Sequence, residues 1–146
     1  MNELRDLYQE VILDHARNPR NFGECALSTN RAVGNNTLCG DRVEISLQVN
    51  GGVIVNAAFF GAGCAISTAS ASMMTEAIKG KTVTDALTLF ERFHTLLTES
   101  ADADDYGKLA VFAGVREFPI RVKCATLAWH TMKAALENSD DEVTTE

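Results

Sequence analysis

The apolar positions change their period several times along the chain. Over residues 2–17, Leu4, Leu7, Tyr8, Val11 and Ile12 recur at the spacing of one buried helical face. That helix has to stop before Pro19, because a residue ahead of proline avoids the helical region. "NPRNFGE" is then a turn-rich link. Over 42–49 the period becomes two: Val43, Ile45, Leu47 and Val49 alternate with Arg42, Glu44, Ser46 and Gln48, as in a half-buried strand. "NGG" at 50–52 is a hairpin turn, since Asn and Gly accept positive φ. The return strand is 53–60. An earlier strand near 31–34 is only weakly marked.

"GAGC" at 61–64 interrupts the strand, and a helix rich in Ala and Ser follows over 65–79. Such small side chains let a helix lie close to a sheet or another helix. A further helix spans "TVTDALTLFERFHTLL", opened by Thr82 and Asp85 as a carboxylate variant of the capping box. The acidic "TESADADDYGK" reads as a loop, and Pro119 resets the backbone. The last helix is expected over 122–137, with Val122, Ala125, Trp129, Met132 and Leu136 on one face. Helix, hairpin and further helices make an α+β arrangement. No repeat or linker divides it, so residues 1–137 form one domain and 138–146 an acidic, disordered tail.

Composition narrows the function. The chain has 146 residues, 46% of them hydrophobic, and a formal net charge of −7. That charge argues against nucleic acid, whose phosphates need clustered Lys and Arg. No apolar run nears the roughly 20 residues of a membrane span. The charged N-terminus lacks the apolar core of a signal peptide, so the expected compartment is the cytoplasm. Thiols stay reduced there, and the four cysteines suggest metal or reactive sulfur before disulfides.

Cys64 opens one helix, and Cys124 is placed at the start of the last one. A helix N-terminus favours negative charge and populates the thiolate, and Arg121 and Lys123 would push Cys124 the same way. Cys39 stands beside Asp41, with Gly40 letting the backbone bend between them. Three thiolates and a carboxylate suit tetrahedral zinc. They also carry more negative charge than zinc cancels, so Arg42, Arg121 and Lys123 are the expected compensating cations. Asp41, hard among soft ligands, is the one most easily displaced. By spacing alone, buried structural cysteines fit as well. Cys25 reads as a packing thiol, His15 as a hydrogen-bonded helix-end residue, and His94 and His130 as ordinary helical positions. Trp129, Met132, Met73 and Met74 read as core.

Four segments resemble the U-type iron–sulfur cluster assembly proteins: "LYQEVILDHARNPRNFG", "CGDRVEISL", "GAGCAISTASASMMTEAIKGKT" and "REFPIRVKCATLAWHTMKAAL". They occur in the family's order and cover nearly the whole chain except the tail. The resemblance is to the SufU branch. Lys123 stands where the IscU branch has a histidine, and the segment between "KGKT" and "REFP" is longer than in IscU.

The resemblance implies a small antiparallel three-stranded sheet flanked by about five helices. It implies a metal site of Cys39, Asp41, Cys64 and Cys124, holding zinc or, alternatively, iron or a transient iron–sulfur cluster. The implied partner is a cysteine desulfurase, a pyridoxal-phosphate enzyme whose persulfide sulfur passes to Cys39; downstream assembly proteins then receive it. Arg121 is the candidate to steer the partner or the persulfide. On this reading the chain is an accessory sulfurtransferase rather than a stand-alone enzyme. The alternatives are a scaffold on which a cluster is built and transferred, and a merely structural zinc domain.

Overall fold

A computed structural model describes residues 2–99, 103–139 and 141–145. It begins with helix α1 (Asn2–Arg17), followed by strands β1 (Asn30–Asn36), β2 (Asp41–Asn50) and β3 (Val53–Ala62). Helices α2 (Ala65–Ile78) and α3 (Val83–Thr98), a 3-10 segment (Ala103–Glu117), helix α4 (Pro119–Leu136) and strand β4 (Val143–Thr144) complete it. This is the α+β class expected, with five helical segments.

The sheet has four strands where three were expected, in the order β3-β2-β1-β4. The first three are antiparallel. β4 adds in parallel, with Val143 against Gly34 and Thr144 against Asn35. The segment read from its acidity as a disordered tail therefore holds a short strand. Two residues carry no alternation to read, so β4 is visible only once β1 offers its edge.

β2 runs through the middle of the sheet, and Val43, Ile45 and Leu47 are buried as their alternation requires. Asn50 pairs with Val53, leaving a two-residue loop of Gly51 and Gly52 at φ 59° and 78°. Both central residues need positive φ in this turn, which side chains resist.

The helices cover one face of the sheet. α4 lies against β1 and β2, α2 lies beside α4 and β3, α1 packs on α2, and α3 packs on α4 and the 3-10 segment. The small residues of α2 make its approach to α4 close. Ser70 Oγ donates to the Ala125 carbonyl at 2.5 Å and accepts from Trp129 Nε1 at 3.0 Å. Those bonds satisfy polar groups that would otherwise be costly to bury.

Three expectations shift. Leu7, assigned to the buried face of α1, is 53% exposed, while Tyr8, Val11, Ile12 and Ala16 pack on the core. Residues 103–108, read as loop, begin the 3-10 segment, which breaks at Gly107 (φ 55°, ψ −132°). The last helix starts at Pro119, three residues early, because proline suits the first helical position, where its missing N–H costs nothing. Among the described residues no helix is long and apolar enough to cross a membrane.

Candidate metal centre

The site lies at the end of the sheet where three connections meet. β1 and β2 are joined by the loop Thr37–Gly40, with Asn36 and Asp41 paired at its base. Cys39 sits in that loop, and Gly40 turns the chain with φ 71°. β3 ends beside it, and Cys64 is the N-cap of α2, its Sγ accepting from Ser67 N at 3.4 Å. Cys124 comes from the second turn of α4.

Cys39, Asp41 and Cys124 place their ligand atoms within 4.8 Å of one another. The Cys39 and Cys124 sulfurs are 2.9 Å apart, longer than the about 2.05 Å of a disulfide. All four cysteines are free. Cys64 stands beside this triplet: its Sγ lies 3.9 Å from Asp41 Oδ2, and its backbone N–H donates to Asp41 Oδ1 at 2.8 Å. One oxygen of Asp41 thus fixes the start of α2, and the other faces the thiols. Gly63 permits this, since a Cβ there would stand 2.6 Å from Asp41 Oδ1.

The electrostatics call for a cation. Asp41 is 2% exposed, and among the described residues no Lys, Arg or His forms an ion pair with it. A buried carboxylate without a counter-charge is costly. Burial also pushes the Cys124 thiol well above its ordinary value of 9.0, and Cys39, Asp41 and Cys64 push it the same way. The donor set of soft sulfurs and one hard oxygen fits a zinc-like ion, which would remove each of these penalties.

This corrects the helix-terminus argument for Cys124. With α4 beginning at Pro119, Cys124 is the sixth helical residue, beyond the first turn where the unpaired N–H groups act. Its environment alone does not make it a thiolate; a metal would. None of the expected compensating cations, Arg42, Arg121 and Lys123, forms an ion pair with Asp41 among the described residues. Arg42 is engaged with Asn35 and Glu142, and Arg121 is exposed, lining a groove with Tyr8, Ile66 and Phe118.

The remaining titratable and thiol groups stand elsewhere. Cys25 is buried, its Sγ donating to the Ser46 carbonyl at 3.3 Å. His15 is buried against Ser72 Oγ at 2.7 Å. On the helical side His94 stacks on Phe90, and His130 meets the same ring edge-on. The sequence reading passed over Asn36, which is wholly buried and whose Oδ1 accepts from the backbone N–H of Leu38 (3.1 Å) and Cys39 (3.4 Å). Its only signal was an Asn three residues ahead of a cysteine in a turn.

Known proteins give the same picture. The chain is 41% identical over 140 residues to the zinc-dependent sulfurtransferase SufU of Bacillus subtilis, covering 94% of each. It is 39% identical over 142 residues to the iron–sulfur cluster assembly scaffold protein IscU of Streptococcus pyogenes, covering 95% of this chain and 88% of that one. A crystal structure of a putative iron–sulfur cluster assembly scaffold protein for the SUF system of Fervidobacterium islandicum superposes with a TM-score of 0.83 at 34% identity, over 90% of this chain and 98% of that one. The model of the NifU-like N-terminal domain matches residues 7–143. With its fold, its ordered segments and its cysteine-bearing end all in agreement, this chain belongs to the NifU-like N-terminal domain family, which includes the SufU and IscU iron–sulfur cluster assembly proteins.

Proposed function

We propose that this protein is a zinc-dependent sulfur acceptor in iron–sulfur cluster assembly. It takes sulfur from the persulfide of a cysteine desulfurase at Cys39 and passes it to downstream assembly proteins. The observation that carries this reading is the convergence of Cys39, Asp41 and Cys124 within 4.8 Å around a buried, uncompensated carboxylate.

Asp41, Cys64 and Cys124 are the residues to hold the metal together with Cys39. Bound zinc would keep the thiols deprotonated near neutral pH. Cys39 is the accepting sulfur because it alone of the three sits in a hairpin loop, between Thr37 and Gly40. Cys64 is held as the N-cap of α2, and Cys124 lies within α4. The Cys39 thiolate attacks the outer sulfur of the partner's persulfide. The partner's S–S bond breaks as the new one forms, and the partner's cysteine leaves as a thiolate, with no net change in oxidation state. Arg121 is the candidate to steer the partner or the persulfide, a role its exposure on the first turn of α4 supports.

The test is direct. Purified protein should carry one zinc per chain and no visible colour. With desulfurase and cysteine, persulfide should form on wild type and fall to background in Cys39→Ala. Equal uptake by Cys39→Ala would remove Cys39 as the acceptor. A brown protein that takes a labile cluster from iron and sulfide would favour the scaffold reading, which the IscU relatives bear by name.

A further inference from the structure

We infer that Asn36 and Thr145 form a latch that ties the loop of Cys39 to the helix of Cys124. They are positioning residues for the accepting thiol. The inference rests on the reading of Cys39 as the moving sulfur.

The latch is a continuous run of hydrogen bonds. Asn36 ends β1 and closes the base of the Thr37–Gly40 loop. Its Oδ1 holds the loop from inside through Leu38 N and Cys39 N. That use of the oxygen fixes the orientation of the amide, so Nδ2 points away from the loop. It donates to Thr145 Oγ1 at 3.4 Å. The same hydroxyl donates to the Lys123 carbonyl at 3.1 Å. A threonine hydroxyl has one proton to give and lone pairs to accept, so it serves both bonds at once. Lys123 O belongs to the peptide that leads into Cys124. Elements 85 residues apart in sequence are therefore joined through one hydroxyl, beside the 2.9 Å contact of their sulfurs.

Thr145 is not held there by these bonds alone. Val143 and Thr144 pair with Gly34 and Asn35, which brings the chain past the end of β1. Glu142 lies 3.9 Å from Arg42, the residue after Asp41. The strand is two residues long and its ion pair is exposed, so this hold is weak enough to open. Leu38, at the crest of the loop, is 73% exposed and offers an arriving protein a handle on the loop. Opening the latch would free the hairpin loop while leaving Cys64 fixed at the cap of α2 and Cys124 within α4.

The test needs neither partner nor metal. In the metal-free protein of residues 1–146, the alkylation rate of Cys39 by iodoacetamide is followed by peptide mass spectrometry. Thr145→Val keeps the shape and removes the hydroxyl; Thr145→Ser keeps the hydroxyl. Thr145→Val should raise the Cys39 rate about fivefold to tenfold, near the worth of one hydrogen bond. Thr145→Ser should match wild type, and wholly buried Cys124 should stay slow in all three. A Thr145→Val rate equal to wild type overturns the latch. So does an equal rise in both variants, which would assign the effect to packing. Persulfide transfer plays no part in this measurement, so failure of the acceptor reading leaves its result intact.

Discussion

Around Trp129 the molecule is dry and closed. The indole is wholly buried, stacks on Phe93 at 4.3 Å and 16°, and donates its N–H to Ser70. Phe93 in turn meets the edge of Phe112 at 5.7 Å. Around Asp41 the arrangement is the reverse. A carboxylate and thiols crowd together with no cationic side chain paired to the acid among the described residues, and one of the sulfurs, that of Cys39, comes from a loop rather than a helix. Around Trp129 the indole N–H and the Ser70 hydroxyl are satisfied from within the chain. The cysteine end leaves one need open, the counter-charge of a buried acid, and on the proposed reading a bound metal meets it. It follows that stability and chemistry should be separable by substitution.

The largest expected effect comes from the closed side. Trp129→Ala should cost about 3–5 kcal/mol in urea unfolding, as large aromatic truncations in cores do. Zinc stoichiometry below the transition should remain that of wild type, because the partners of Trp129 are Ser70 and Phe93 rather than the candidate ligands. A variant that folds but holds no zinc would show that the two regions are one cooperative unit.

At the open end, Gly63→Ala should break the site and leave the core intact. Its Cβ would stand 2.6 Å from Asp41 Oδ1 and 3.3 Å from Ser67 Oγ, so the carboxylate must move. Zinc affinity, measured by competition with a chromophoric chelator, should fall about tenfold to hundredfold, as when a ligand loses its support. Unchanged affinity would mean that Asp41 is not a ligand.

This contrast was only half legible in the sequence. The closed side announces itself: helical spacing of Val122, Ala125, Trp129 and Met132, and strict alternation in β2, each follow from local burial. "NGG" names its own turn. What failed were features set by distant contacts. Pro119 looks like a break, yet it opens α4, and that moves Cys124 out of the first turn. β4 needs the edge of β1 to exist at all. The meeting of Cys39, Asp41 and Cys124 follows from no spacing rule, because hairpin and helix bring them together from far apart. The residue types suggested it, but with buried structural cysteines fitting as well, and the family resemblance decided between them. Asn36 is identical in sequence to any turn asparagine, and only its complete burial marks it.

Acid should find the helical side before it finds the sheet. Burial lowers the affinity of His15 for a proton, and the nearby Lys108 and Arg20 lower it further. Burial does the same to His130, aided by His94 and Lys133. Both imidazoles are then neutral in the fold, while the unfolded chain gains protons below about the ordinary 6.5. The unfolded state binds more protons there, so stability is full above that pH and declines as pH falls through it. The measurement belongs on metal-free protein, since protons also compete for the metal's ligands. Urea midpoints should drop between pH 7.5 and 5.5, and His130→Gln should flatten the slope. Identical midpoints would show that these rings protonate as readily folded as unfolded.

The smallest effect should come from the cap of α3, far from the cysteines. Thr82 Oγ1 accepts from Asp85 N at 3.0 Å, so Thr82→Ala should cost about 1 kcal/mol. Thr82→Ser should restore it. The cap adjoins the tip of the β2–β3 hairpin, where Val83 N donates to the Gly52 carbonyl at 2.9 Å and Ile54 N to the Lys81 carbonyl at 2.8 Å. A loss well beyond that of a cap would therefore mean that the hairpin tip had come away with the helix. Even then zinc affinity should hold, because the hairpin's other end carries the site: β2 begins with Asp41 at the cysteines and reaches Asn50 at the cap. If so small a change at the tip did weaken zinc, β2 would be acting as a rigid rod between the two regions, and their separation would fail along that strand.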